Sequence, residues 1–185
     1  MNLNALKKIR IVGVEDGSFQ KGLTKKALLV AVLFHGLSIK KVKVDEIEVD
    51  GLDATTKLTE MLSNWKFDVV MLAGVSFAGF NVINPAVIHE KFHKPVIIVT
   101  GKKPDNRAVR RALKRHFIDW EVRWLVFEHL GKVYKVYSLN HELPVYIEIL
   151  GVSKEQASGI VKAFSIFGKI PEPIRVARLI ARGLS

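Results

Sequence analysis

Three β-branched runs stand near the start of the chain with no helical pattern between them, and this feature most narrows what the chain can fold into. Ile9 to Val14 reads as a first strand. Ala27 to Phe34 and Ile39 to Val49 read as two more, joined by a turn near His35-Gly36-Leu37-Ser38. Strands joined by so short a turn are antiparallel, so the three predict a meander. In the third, Val42 and Val44 and then Ile47 and Val49 alternate with charges, as a half-solvated strand does, and a parity slip near Asp45-Glu46 suggests a β-bulge.

The period then changes. From Asp53 to about Trp65, Leu58, Met61 and Leu62 recur at helical spacing. Phe67 to Leu72 reads as a buried strand, Val82 to Phe92 as a helix, and Pro95 to Thr100 as another buried strand. Strands linked through a helix run parallel, so a parallel continuation of the meander is expected. A helix over Asp105 to His116 is followed by shorter strands near Arg123 to Glu128, Lys132 to Ser138 and Val145 to Ile149. Ser153, with Gln156 at the capping-box position, opens a helix through about Phe167 that Gly168 ends. Pro171 and Pro173 open a last helix, Ile174 to Arg182. With 185 residues and no repeat, low-complexity tract or linker, the expectation is one mixed α/β domain over 1–185.

The absence of cysteine excludes a disulfide framework, a thiolate nucleophile and a Cys-based zinc site. Met1 to Lys8 holds no apolar core of signal-peptide length, and the longest apolar run, Ala27 to Phe34, is too short to span a bilayer, so a soluble, cytoplasmic protein is expected. A net charge of +11 favours an anionic partner, nucleic acid before a membrane surface, although basic composition also occurs in thermophile proteins with no such role. Distribution adds to the argument. Arg107, Arg110, Arg111, Lys114 and Arg115 fall at i, i+3, i+4, i+7 and i+8, which on a helix makes one continuous basic stripe, the candidate nucleic-acid face.

Acidic residues at the ends of secondary-structure elements are the candidates for chemistry. Glu15 and Asp16 close the first strand, Asp53 opens the first helix, and Glu155 lies in the first turn of a late one. Carboxylates so placed can converge to hold a divalent cation over a phosphate. Each has a plainer reading: turn residues before Gly17, a helix N-cap, and an acid favoured by the helix dipole. After the buried strand Val69 to Leu72, the segment Gly74 to Asn81 is placed to contact a ligand. Phe77 or Phe80 could stack on a base and Asn81 could hydrogen-bond one, with core packing the alternative for both phenylalanines. Gly101-Lys102-Lys103-Pro104 resembles a phosphate-contacting loop but lacks P-loop spacing. His89 and His93 read as a solvated helix face rather than a zinc site, and no Gly-x-Ser-x-Gly elbow supports a serine hydrolase.

Several segments, in this order, resemble the endonuclease V-related family in its mainly archaeal branch. They are Gly13-Val14-Glu15, the helix start at Asp53, Asp68 to Gly74, Pro95 to Val99, Val152 to Glu155, and Pro171-Glu172-Pro173-Ile174-Arg175. The resemblance runs from Ile9 to Gly183 and implies a ribonuclease H-like fold. In active members it implies acids that bind Mg²⁺ and cleave a phosphodiester near deaminated adenine. Carried over, Glu15 takes the first-strand aspartate position, Asp53 the helix-start glutamate position, give or take one residue, and Glu155 the late-helix acid position. Lys102 approximates a lysine after the fifth strand, where Gly101 aligns about as well. Glu15, Asp53, Glu155 and Lys102 are therefore the candidate catalytic set, with Glu15 and Glu155 as metal ligands. One member is missing: Ala73 stands where the family has a strand aspartate, and a methyl group ligates nothing. The family's aromatic-proline wedge is also absent before Asp53, where Glu46 to Gly51 stands. Three readings follow from the resemblance and the charge: a nucleic-acid-binding protein with a degenerate metal site, a Mg²⁺-dependent endonuclease retaining some activity, or a protein-interaction scaffold.

Overall fold

A computed structural model describes residues 8–20, 22–138 and 143–185. All but the last residue of the Met1 to Lys8 segment lies outside them. The meander forms as β1 (Arg10–Asp16), β2 (Lys26–His35) and β3 (Ser38–Glu48), antiparallel throughout. After α1 (Ala54–Leu62) comes β4 (Val69–Leu72), a small hairpin of β5 (Ser76–Phe77) and β6 (Asn81–Val82), α2 (Pro85–Phe92) and β7 (Val96–Thr100). The chain continues through α3 (Asn106–His116), α4 (Trp120–Glu128), β8 (Tyr134–Val136), β9 (Val145–Leu150), α5 (Lys154–Phe164) and α6 (Glu172–Leu184). Seven strands make one sheet in the order β3-β2-β1-β4-β7-β9-β8. β4 lies parallel to β1, and β7 parallel to β4, whereas β9 and β8 return antiparallel. The sheet is therefore mixed and flanked by helices, with the expected antiparallel start and parallel centre.

Strand alternation sorts side chains to two faces. Val12, Val14, Val70, Leu72 and Ile98 meet Leu58, Leu62, Ile88, Leu113 and Phe127 of α1 to α4 on one face. Ile11, Met71 and Ile97 meet α5 and the start of α6 on the other, where Ala177 and Ala181 of α6 also cover Val30, Val32 and Phe34. Gly13 permits this last contact: a Cβ there would run into the Pro173 carbonyl, so α6 sits against the bare backbone of β1.

Four local expectations need correction. Arg123 to Glu128 is not a strand but most of α4. Arg123, 5 % exposed, pairs with Asp119 one turn back at 2.9 Å and donates to the Gly51 and Phe80 carbonyls, a bonding pattern an edge strand could not supply. The helix expected from Val82 starts at Pro85, because Val82 is held in the small hairpin and the Asn84 side chain accepts from the Ala86 amide as N-cap. The bulge falls near Lys40, where the β2/β3 register shifts, not at Asp45-Glu46. Val42 and Val44 lie on an exposed face of β3 and Ile47 on its buried one, so no parity slip is needed there. Finally, α5 ends at Phe164 rather than Phe167, with the Ser165 hydroxyl donating back to the Val161 carbonyl.

Candidate functional site

The carboxyl-terminal ends of the parallel strands β1, β4 and β7 define one pole of the sheet. Glu15 lies at the end of β1 on the face covered by α6, and it is 7 % exposed. One step past the Val14/Leu72 pairing, Ala73 directly follows β4 beside it, and the Ala73 amide donates to the Val14 carbonyl at 3.2 Å. By alternation both point to the same face, since Met71 and Ala73 pack with Ile11. The pair of strand ends that would share a metal is thus a glutamate next to a methyl group.

A guanidinium takes the place beside Glu15. Arg178, on α6, donates through Nε to Glu15 Oε2 at 2.7 Å, and its Nη2 stands 2.6 Å from the same oxygen in an ion pair. Burial nevertheless dominates: it pushes the Glu15 carboxyl up from its ordinary 4.5 to about 7, against the pull of Arg178 and with some help from neighbouring Asp16. Asp16 itself is committed elsewhere, accepting from the Ala78 amide at 2.6 Å. Around this pair the pole is cationic. Lys169, between α5 and α6, donates to the Gly101 carbonyl at 2.8 Å, next to exposed Lys102. Arg175 is held by buried Glu172 at 2.6 and 2.9 Å and lies 5.7 Å over the ring of Phe167, which is 76 % exposed.

The other sequence candidates do not assemble around Glu15. Asp53 stands at the same pole but on the α1 side of the sheet, and its carboxylate accepts from the Glu48 amide and the Asn81 side chain instead of capping α1. Glu155 lies at the opposite pole: β9 ends with Leu150 beside Val96, the first residue of β7, and α5 begins there. Strand direction thus separates Glu155 from Glu15 by the length of the sheet, which corrects its assignment as a shared metal ligand. No group of three or more His, Cys, Asp or Glu among the described residues is arranged to hold a metal. Asn81 also needs correction as a ligand contact. It is fully buried, its carbonyl accepting from Ala54 N at 3.0 Å and its amide donating to the Glu48 carbonyl at 2.8 Å. Phe77 is core, whereas Phe80 is half-buried edge-on to Phe117 at 5.5 Å. His89 Nδ1 is engaged with the Lys94 carbonyl at 2.7 Å.

The basic stripe forms as α3. Arg107, Arg110, Arg111, Lys114 and Arg115 are all exposed, and only Leu113 is buried. Arg110 lies 5.2 Å from the Trp124 ring and Lys114 lies 4.5 Å from the Trp120 ring, so α4 braces two of the five cations on aromatic faces.

Sequence reasoning passed over Arg178 and Glu148. Arg178 flanks the inward stripe Ile174, Ala177 and Ala181, a position where an arginine implies a buried partner. Glu148 interrupts the apolar run Val145 to Leu150 of an interior strand, the pattern of a buried acid.

The family model described as endonuclease dU matches residues 7–185. The chain is 36 % identical over 182 residues to a UPF0215 protein of Methanothermobacter thermautotrophicus, covering 96 % of this chain and 88 % of that protein. It is 38 % identical over 181 residues to a UPF0215 protein of Methanosarcina acetivorans, covering 95 % and 90 %. Among solved structures, a protein of unknown function from Archaeoglobus fulgidus superposes with a TM-score of 0.83 at 29 % identity, over 96 % and 98 % of the two chains. Endonuclease V of Ciona intestinalis, in complex with a DNA containing inosine, superposes with a TM-score of 0.65 at 14 % identity over 95 % and 85 %, which shows a shared fold. That likeness agrees with the ribonuclease H-like architecture expected from the sequence.

Proposed function

Because this chain belongs to the endonuclease dU family, we propose that it binds nucleic acid at the carboxyl-terminal pole of its sheet without cutting it. The observation that carries the reading is the Arg178 ion pair on Glu15 beside Ala73. Two-metal phosphoryl transfer requires deprotonated oxygen ligands on both strand ends. Here one carboxyl is engaged by a guanidinium and raised to about 7, and its neighbour is a methyl group. The residues present do not fit Mg²⁺. What the pole and α3 offer instead is positive charge: Lys102, Lys169 and Arg175 near the strand ends, and Arg107, Arg110, Arg111, Lys114 and Arg115 along the helix that follows β7. Lysine and arginine side chains so arranged suit a phosphate backbone. No helix among the described residues is long and apolar enough to cross a membrane. The family's name makes deoxyuridine-containing DNA the first ligand to test.

The test measures binding and cleavage of labelled single- and double-stranded DNA carrying one deoxyuridine, in Mg²⁺ and in Mn²⁺, across a salt series. Expected are intact strands and affinity that falls with salt. Changing Arg107, Arg111 and Arg115 together to Gln is expected to reduce the log–log salt slope by roughly 2 to 3. Metal-dependent cutting that disappears in Glu15→Gln would establish a working nuclease and overturn the proposal. Association insensitive to salt would favour a protein-interaction scaffold.

A further inference from the structure

β3 forms one end of the seven-stranded sheet, and among the described residues no strand covers its outer edge. A long edge offers a row of backbone N–H and C=O groups to a second strand, and proteins commonly blunt such edges with lysine. Here lysine fills one half only. Lys40, Lys41 and Lys43 precede Asp45, Glu46 and Glu48, with Val42 and Val44 at the middle. A strand basic in one half and acidic in the other repels a copy laid parallel in register and attracts one laid antiparallel.

We propose that β3 is a self-association surface: a second copy of this chain pairs with it antiparallel, about a two-fold axis at Lys43, and joins the two sheets into one. The inference is independent of the nucleic-acid-binding reading. The backbone sets the register. The Glu46 and Glu48 amides point outward, donating to the Asp45 and Asp53 side chains, whereas the Val49 amide donates inward to the Lys25 carbonyl at 2.8 Å. By alternation the Val42 and Val44 amides also point outward. Centring on Lys43 sets Val42 against Val44 of the copy, where the two exchange both N–H···O bonds, and sets Lys41 against Asp45. Lys43 meets its own copy, but its ammonium is drawn aside, donating to the Met61 carbonyl at 2.7 Å. Lys40 is the extra residue of the bulge, where the regular edge ends. The side chains fit as well. Val42 and Val44 stand beside Val32 and Val30 of β2, which Ala177 and Ala181 of α6 cover, yet they lie beyond the helix and are 41 and 42 % exposed. Pairing merges the valines of both copies into one apolar strip that continues this covered layer. An interface built on one strand is small, so association rises with concentration.

The experiment follows the mass of the full chain, free of nucleic acid, by sedimentation velocity across a concentration series. The wild type is expected to shift from monomer to dimer as concentration rises. Lys41→Glu sets acid against acid and Asp45→Lys sets lysine against lysine, so each variant alone should associate roughly tenfold or more weakly than the wild type. Mixed together, the two should recover a dimer, because each altered charge then faces an opposite one. Recovery requires both variants to be folded, so a folding defect cannot imitate it. A second measurement reads the register directly. The chain has no cysteine, so Lys43→Cys introduces a single thiol on the two-fold axis, where a non-hydrogen-bonded pair brings the Cα atoms to about 4.5 Å, within disulfide reach. Mild oxidation should link that variant into dimers faster than Ser38→Cys, whose thiol faces Glu48 of the copy. A monomer at every concentration with no preferential cross-linking would overturn the inference and leave the nucleic-acid-binding reading standing. A dimer indifferent to both charge reversals would also overturn it, by placing the contact on another surface.

Discussion

Glu15→Gln separates the two forces acting on the pole carboxyl, because burial and Arg178 push its protonation in opposite directions. Raising a carboxyl from 4.5 to about 7 on folding makes the native state hold a proton that the unfolded chain releases. Between those values the native state binds more protons than the unfolded state, so stability falls as pH rises and levels off above about 7. At about 1.36 kcal/mol per pH unit, the full change is roughly 3 kcal/mol. The side chain is only 9 % exposed, so solvent screens little of it. Glutamine mimics the protonated acid and does not titrate. The difference in stability between wild type and Glu15→Gln, from urea unfolding at pH 4.5 to 8, should therefore move by roughly 3 kcal/mol in favour of the variant as pH rises. Taking the difference cancels Glu148, whose carboxyl is also raised by burial. A difference independent of pH would refute the argument. A difference of opposite sign would mean that the Arg178 ion pair outweighs burial and that Glu15 stands ionised, which would reopen the question of metal binding.

Two further substitutions test the scaffold around the pole. Asn81→Ala removes the amide that joins Ala54, Glu48 and Asp53 and leaves buried groups unpaired, so a loss of roughly 2 to 4 kcal/mol is expected in urea unfolding, with DNA affinity of the folded protein unchanged. Reduced affinity without reduced stability would restore Asn81 as a ligand contact. Gly13→Ala forces α6 away from β1 at Pro173 and is expected to cost roughly 2 to 3 kcal/mol, or about 5 to 10 °C in Tm by calorimetry. An unchanged Tm would show that α6 does not depend on that close approach.

Much of the fold is written in local pattern. Short β-branched runs without helical spacing between them specify the meander, and the buried runs at Val69 and Val96, separated by a capped helix, specify its parallel continuation. α4 was illegible because Val122, Leu125 and Val126 fit either period over so short a stretch, and the contacts that decide for a helix are long-range, from Arg123 to Gly51 and Phe80. The bulge was misplaced because register belongs to a pair of strands and is not a property of one.

The candidate site divides in the same way. The sequence by itself determined which chemical groups exist: an acid closing β1, an alanine just after β4, and five cations spaced along one helical face. It could not determine which groups meet. Glu155 and Glu15 both belong to resembling segments, yet strand direction puts them at opposite poles, while Arg178, distant in sequence, is brought onto Glu15 because α6 lies against a glycine in β1. The protonation of Glu15 and Glu148 is likewise a tertiary property, since desolvation depends on what covers a carboxyl and not on its neighbours in the chain.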